Sequence, residues 1–478
     1  MDLTSALHLA LPELILAVSV LAILVYGALR GDKSAGSVAA LCGAALIAAA
    51  FAAAFNGHGK VFNGSFIADG VANFAKTFIY IASAIIIVLA RGYFERQNNN
   101  RFEFPILVTL SAIGMSMMVS AGDLIALYIG LELNSLAAYV MASFRRDDAK
   151  GSEAGLKYFV LGSLSSGLLL YGISLVYGFA GSMNFDAIAA SAQANPQVGL
   201  IFGLVFVIAG LAFKVSAAPF HMWTPDVYEG APTPVVALFA GAPKFAALVL
   251  LARVLNDAFA GLHDQWAQVL LAIASLSFLV GGLGGLMQKD FKRLLAYSSI
   301  ANMGYAMLAL AAGTDNGVMA LLLFSVLYMV DTLGLFSAQI ALSRKGIAIS
   351  KIDDLAGLSK VDMKLTIAIT LLALSVLGMP PFSGFWGKFF VFGAALEAGY
   401  WGFAVAGLVA SVIAAFYYLR IIKVMWFDSA DKGEVDKAPF EAKWIAYAAA
   451  AFAFPVAAFV LSGLYPLAEM AVKSFGLN

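Results

Sequence analysis

Cysteine is almost missing from this chain of 478 residues, where Cys42 stands alone. A disulfide, an iron–sulfur cluster or a thiolate metal site needs more than one sulfur, so none is built within the chain. Charge is also scarce: Asp, Glu, Lys and Arg make up 12% of the residues, where a soluble domain carries about 25%. The four histidines, at positions 8, 58, 221 and 263, have no metal-ligand spacing. No Walker loop occurs, and Gly281-Gly282-Leu283-Gly284-Gly285 lies in an apolar stretch with no preceding strand. Close helix packing explains that run better than a dinucleotide loop does.

Hydrophobic residues account for 62% of the chain. A helical span needs roughly 20 apolar residues, and fourteen such stretches are readable: 9–29, 36–56, 69–91, 103–120, 123–143, 153–180, 198–218, 233–255, 266–287, 292–312, 317–342, 363–397, 402–426 and 441–464. The sequence therefore predicts an all-α integral membrane protein of about 14 transmembrane helices. The first stretch is too long for a signal h-region and has no convincing cleavage site after it, so it reads as a span.

Basic residues set the topology, because cytoplasmic loops collect Lys and Arg. Odd-numbered loops hold nearly all of them, including Arg30, Arg91, Arg145, Lys289, Arg344, Lys345, Lys432, Lys437 and Lys443. Even-numbered loops and both tails hold only Lys60 and Lys473. That asymmetry puts both termini outside the cytoplasm. The loop from Asp226 to Ala231 dissents, since it carries no basic residue.

Two spans look broken in the same way. The seventh contains Lys214 followed by Pro219-Phe220-His221-Met222-Trp223, and the twelfth contains Pro381-Phe382 followed by Trp386 and Lys388. Proline removes a backbone donor and clashes with the preceding turn, so the freed carbonyls need a protein or water-filled surrounding. Broken helices at corresponding positions of two halves point to a repeat transporter architecture. The alternative is that prolines merely kink packed helices. The segment from Trp223 to Thr233 is too polar and proline-rich to continue the span and reads as a loop.

Charge in mid-membrane costs about 2.5–3.5 kcal/mol per residue on insertion scales, so each such residue needs a reason. Lys76, Lys157, Lys214, Lys244 and Lys388 fall within spans, as do Glu132 and Asp331. Burial favours a neutral lysine and a nearby carboxylate favours a charged one, so a Glu–Lys pair of variable separation is a proton switch. Glu132 is the candidate modulating carboxylate and Lys214 its partner; Lys244 would relay the proton, and Lys388 would pass it to the exit side. His221 is a candidate relay between two lysines, against the commoner role of a structural hydrogen-bonder. Lys76 and Lys157 are equally well read as structural partners or snorkelling cations. Asp331 is read as a tie between helices slightly ahead of a proton-path residue. No site for NADH, flavin, ATP or a metal is visible, which leaves proton transfer.

The run from Phe213-Lys214 through Pro219-Phe220-His221-Met222-Trp223-Thr224-Pro225-Asp226-Val227-Tyr228-Glu229-Gly230-Ala231-Pro232-Thr233 resembles the signature of the antiporter-like membrane subunits of respiratory NADH:quinone oxidoreductase. Glu132 in Leu131-Glu132-Leu133, Lys244, and Lys292-Arg293-Leu294-Leu295-Ala296-Tyr297-Ser298-Ser299-Ile300 extend the resemblance over nearly the whole chain. Within the family the chain looks like the N type: it has Lys388 where the M type tends to carry glutamate, and it lacks the long lateral helix of the L type. The resemblance implies N-terminal spans over 1–101, two inverted five-helix repeats (spans 4–8 over 102–260, spans 9–13 over 261–430), and a last span over 431–478. It also implies a hydrophilic axis of Glu132, Lys214, Lys244 and Lys388 in the membrane middle. NADH, FMN, iron–sulfur clusters and quinone would then belong to partner subunits, with none bound here, and the neighbours would be an M-type subunit and small membrane subunits in a bacterial inner membrane. One departure is Asn302, where many relatives carry histidine, which weakens the route from Lys244 to Lys388. The rival readings are a subunit of a multisubunit cation/proton antiporter, a subunit of a membrane-bound hydrogenase-type complex, and a purely structural membrane subunit.

Overall fold

The computed structural model describes residues 3–194, 197–344, 347–429, 435–436, 438–454 and 457–475. Lys345, Lys432 and Lys437 of the charge pattern lie outside them. Helices cover each apolar stretch read from the sequence, beginning with Leu11–Arg30, Ala35–Ala54, Gly70–Arg96 and Glu103–Val119. Among the described residues, ten helical runs are long and apolar enough to cross a membrane, one of them the helix pair Leu11–Ala54, while Glu103–Val119 and Met363–Leu377 are shorter apolar helices. The chain is a multi-pass membrane protein.

Several helices begin where a short polar side chain caps them. Asp69 accepts from the Ala72 amide at 2.7 Å, Asp123 from Ala126 at 2.6 Å, and Asp290 from Arg293 at 2.9 Å. Such caps satisfy amide donors that the first helical turn leaves open. Packing then sorts the helices. Thr233–Ala258, Phe291–Ala311 and Asp315–Ile340 are almost wholly buried, while Leu11–Ala54 and Trp401–Phe427 turn most of their surface outward. The polar residues discussed below gather in that inner layer. Glycines allow its close contacts: a Cβ on Gly281 would lie 2.3 Å from the Ala301 amide nitrogen, which bears out the packing role of the glycine run.

Both expected breaks are present. The helix Val198–Val215 ends at Ser216, whose φ of +66° is left-handed, and Ala218–Pro219 is a cis peptide. Met363–Leu377 ends at Gly378, with φ +90°, and the cis peptide Pro380–Pro381 precedes the second half, Ser383–Glu397. A left-handed residue and a cis proline recur in the same order at the two breaks. Freed carbonyls are met differently in each. Trp223 Nε1 donates to the Phe213 carbonyl at 2.9 Å, whereas Lys388 Nζ donates to the Leu377 carbonyl at 2.8 Å.

Two expectations need correction. Residues 223–230 form a buried helix, Trp223–Gly230, where a loop was expected. Pro225 stands in its first turn, where a missing amide costs nothing, and its acids find cations: Asp226 meets Lys157 and Arg293, and Glu229 meets Lys150 and Arg293. The eighth span is not continuous, because Gly241 and Pro243 divide it into Thr233–Ala240 and Ala242–Arg253. Of the two readings of Lys157, the ion pairs favour the structural partner: its ammonium meets Glu153 at 2.7 Å and Asp226 at 2.8 Å.

The second break tolerates no added bulk at Gly384, where a Cβ would lie 2.0 Å from the Ser375 carbonyl oxygen. Gly384→Ala is expected to destabilise the chain by about 1–3 kcal/mol, the usual cost of overpacking. The thermal unfolding midpoint of the detergent-solubilised protein checks this, and an unchanged midpoint would contradict the close approach.

Candidate functional site: a buried line of lysines

The three lysines singled out in the sequence are all buried, with 7%, 2% and 6% of Lys214, Lys244 and Lys388 exposed. Each ammonium is held by hydroxyl or carbonyl oxygens and an aromatic face, an arrangement that tolerates both a cation and a neutral amine. Lys214, at the end of Val198–Val215, donates to Ser135 Oγ at 2.5 Å and to Tyr139 Oη at 3.3 Å. Both acceptors come from the helix Leu124–Ala142, which also carries Glu132.

No ion pair or hydrogen bond joins Glu132 to Lys214 among the described residues. Glu132 Oε1 instead accepts from Ser166 Oγ on Ala149–Ala180. Ser135 follows Glu132 by one helical turn and holds the Lys214 ammonium. The two expected partners are thus held by separate serines, Lys214 by Ser135 and Glu132 by Ser166.

Lys244 lies one turn after the Gly241 interruption. Its ammonium donates to Ser299 Oγ at 2.5 Å and sits 5.5 Å from the centre of the Tyr228 ring. Aromatic groups fill the space between Lys214 and Lys244: the Tyr139 ring meets that of Tyr158 at 4.9 Å, and Tyr158 stacks on Trp223 at 4.4 Å. Trp223 in turn touches Tyr228 edge-on at 6.4 Å. Among the described residues the buried Tyr228 hydroxyl makes no hydrogen bond of ordinary geometry. His221 stands at the turn before Trp223, and no hydrogen bond or ion pair joins it to Lys214 or Lys244 among the described residues; its Nδ1 is buried and unpartnered.

The helix Phe291–Ala311 carries the connection onward. Ser299 receives the Lys244 proton donor, and Asn302, one turn later, lines a small cavity with Tyr328, Asp331 and Lys388. Asn302 Nδ2 donates to the Ser298 carbonyl at 2.8 Å, so much of its donor capacity is spent within its own helix. Lys388 donates to Ser411 Oγ at 3.0 Å as well as to Leu377, and lies 4.8 Å from the Tyr305 ring centre.

Sequence reasoning missed several members of this environment. Ser135, Tyr139, Ser166, Tyr228 and Ser299 are residue types that abound in membrane helices, and only the tertiary fold singles them out. Lys292, at the start of the tenth apolar stretch, is buried and donates to the Ala231 carbonyl at 2.8 Å. Arg253 is 1% exposed and holds both Asp69 oxygens, at 2.8 and 2.9 Å, together with the Val119 carbonyl at 3.0 Å. Glu13 is the clearest omission, since it pairs with the fully buried Lys76 at 2.6 Å. Its position within the first apolar span was a usable signal.

Outside the spans, Asp226 belongs to a charged cluster. Partial burial pushes its carboxyl up, but hydrogen bonds from Lys157 and Arg293 outweigh this and hold it below the usual carboxylate range. Among the described residues, no group of three or more His, Cys, Asp or Glu could hold a metal ion.

Residues 121–414 match the family model described as "NADH:quinone oxidoreductase/Mrp antiporter, TM". The chain belongs to this family. As a member of the NADH:quinone oxidoreductase/Mrp antiporter family it is 54% identical, over 432 residues and 90% of each chain, to NADH-quinone oxidoreductase subunit N of Maricaulis maris (strain MCS10). Its fold is similar to a chain of respiratory complex I from Thermus thermophilus, solved with bound aureothin, with TM-score 0.82 and 33% identity over 96% of this chain and 99% of that one. A chain of the Mrp complex from Dietzia sp. DQ12-45-1b superposes with TM-score 0.85 at 22% identity, covering 98% of each, and shows the shared fold alone. The resemblance read from the 213–233 run and the N-type features is borne out by these relatives.

Proposed function

We propose that this chain is the proton-translocating membrane subunit, of the N type, of an NADH:quinone oxidoreductase in which other subunits carry NADH, FMN, the iron–sulfur clusters and quinone. The observation that carries the reading is the row Lys214, Lys244 and Lys388, three buried ammonium groups on three helices, each bonded to a hydroxyl that is able to pass on a proton. A protein that merely needed its helices tied would pair such cations with carboxylates, because unpaired buried charge is costly. Here serines and tyrosines hold them instead.

A proton would be taken up at Lys214 under the influence of Glu132, pass through the Tyr139–Tyr158–Tyr228 region to Lys244, and follow Ser299 and Asn302 to Lys388. His221 would serve the first transfer only through an intervening water. The matched breaks support two repeats, over 102–260 and 261–430. The charge pattern supports fourteen crossings of a bacterial inner membrane with both termini on the periplasmic side. An M-type subunit and small membrane subunits would flank the chain.

Lys214→Ala in the assembled complex tests the reading. Proton uptake by membrane vesicles per NADH oxidised is expected to fall about tenfold for this subunit's share, short of the ~100-fold typical of a lost acid–base group, because Glu132 remains to accept a proton. Normal pumping with normal assembly would remove the channel role. Sodium-dependent transport without NADH oxidation would favour the cation/proton antiporter reading.

A further inference from the structure

We infer that Asp331 controls the charge of Lys388, so that the second half of the chain carries its own carboxylate–lysine switch on a helix distinct from the one that bears Glu132. This rests on the proton-translocation reading above and adds to it a group that the line of lysines does not contain.

Asp331 sits centrally in Asp315–Ile340 and is 1% exposed. An isolated carboxylate at such a place is among the costliest groups a membrane protein can bury. Among the described residues only one of its oxygens is answered: Oδ2 accepts from Ser375 Oγ at 2.7 Å, while Oδ1 is buried with no partner. A residue kept only to tie two helices would be expected to use both oxygens, or to be an amide or hydroxyl at lower cost.

The unanswered oxygen has a place to act. Asp331 and Lys388 both line the small cavity with Asn302 and Tyr328, whose volume of about 10 Å³ is at the lower limit of what admits one water. Lys388 has three N–H donors, and two are accounted for by the Leu377 carbonyl and Ser411 Oγ. One ammonium hydrogen and one carboxylate oxygen are therefore left over on the two groups that share the cavity. They are not in direct contact among the described residues. A single water between them completes both, and a charged Asp331 then favours the protonated form of Lys388. When Asp331 takes up a proton arriving past Asn302, that support is lost and the Lys388 proton leaves toward the exit side, leaving a neutral amine.

Ser375 links this switch to the break itself. Its Oγ lies 2.9 Å from Ser383 Oγ and accepts from the Gly384 amide at 3.0 Å, so Asp331 is held against the ends of both halves of the broken span. The first half of the molecule has similar parts, for Glu132 is held by a serine, and the helix that carries it also supplies the hydroxyls that hold Lys214.

Asp331→Asn in the assembled complex separates a charge role from a tie, because the amide oxygen still accepts from Ser375. Expected is normal assembly with pumping per NADH oxidised lowered about tenfold in this subunit's share, the size of effect a lost neighbouring charge has on a proton equilibrium. Asp331→Glu is expected to restore most of it, and in a Lys388→Met background Asp331→Asn should add no further loss. Ser375→Ala, which removes the tie and keeps the carboxylate, should pump at a rate near that of the unaltered complex. Normal pumping by assembled Asp331→Asn would overturn the inference, as would equal losses in Ser375→Ala and Asp331→Asn. Should Asp331→Asn fail to assemble, Asp331→Glu and Ser375→Ala decide: the inference needs both to pump, and a loss in either overturns it. Lys214→Ala measured alongside keeps the two readings apart, since normal pumping by that variant would overturn the broader one.

Discussion

Lys244→Met is expected to abolish the proton flux carried by this chain while the complex still assembles. Methionine has similar length and no charge, so the substitution removes a buried cation without opening a large cavity. What it removes is the one amine that stands between Lys214 and Lys388 in the row. The groups left around it are hydroxyls and aromatic rings: Tyr228 with its buried hydroxyl, Ser299, and Asn302, whose amide is engaged with Ser298. None of them holds a proton as an ammonium does near neutral pH. Loss of a positioned acid–base group slows proton transfer by about 100-fold or more, which exceeds the effect expected at Lys214, where Glu132 persists. Proton uptake into vesicles, divided by NADH oxidised and by assembled complex on a native gel, gives the result. Unchanged pumping would place the route elsewhere.

Glu13→Ala is expected to act on stability instead. Lys76 is fully buried and Glu13 is its ion-pair partner, with the Phe66 ring 4.6 Å from the ammonium as further support. Glu13 also accepts from Ser116, which takes a hydrogen bond from Tyr80 at 2.6 Å, so the carboxylate ties together Leu11–Arg30, Gly70–Arg96 and Glu103–Val119. Removing one member of such a pair strands a charge and costs about 3–5 kcal/mol. The amount of the chain retained in membranes should fall sharply. The double variant Glu13→Leu, Lys76→Met should recover it, since apolar replacement of a buried pair is often neutral or better. Poor recovery by the double variant together with a pumping defect would mean that the pair does more than hold helices.

The span pattern was legible because lipid leaves a chain few options: backbone groups must be satisfied internally, so apolar stretches become helices. The breaks were legible because Pro219, Pro380 and Pro381 cannot continue a helix. Charges in apolar stretches pointed to Lys214, Lys244, Lys388 and Glu132, and the same rule applied to Leu11–Arg30 would have found Glu13. Other features were hidden for a physical reason. Residues 223–230 look too polar for a buried helix until Lys157 and Arg293, distant in sequence, arrive to neutralise Asp226. Ser135 and Ser299 are ordinary serines until a lysine from another helix reaches them. The role of Asn302 depends on what lies across the cavity from it.

The short helix Trp223–Gly230 also has a mechanical meaning. Through Asp226 and Glu229 it is bound to Arg293 at the start of Phe291–Ala311, and so the first broken span is fastened to a helix of the other half at 2.7 and 3.2 Å. Trp223 anchors the same short helix to the Phe213 carbonyl, one residue before Lys214. Transporters that rock one half against the other need an interface free to shear. Here such rocking would have to tear two ion pairs in every cycle. The two pairs, both part-exposed, act as a modest brake on such shear at the point where the first broken span meets Phe291–Ala311.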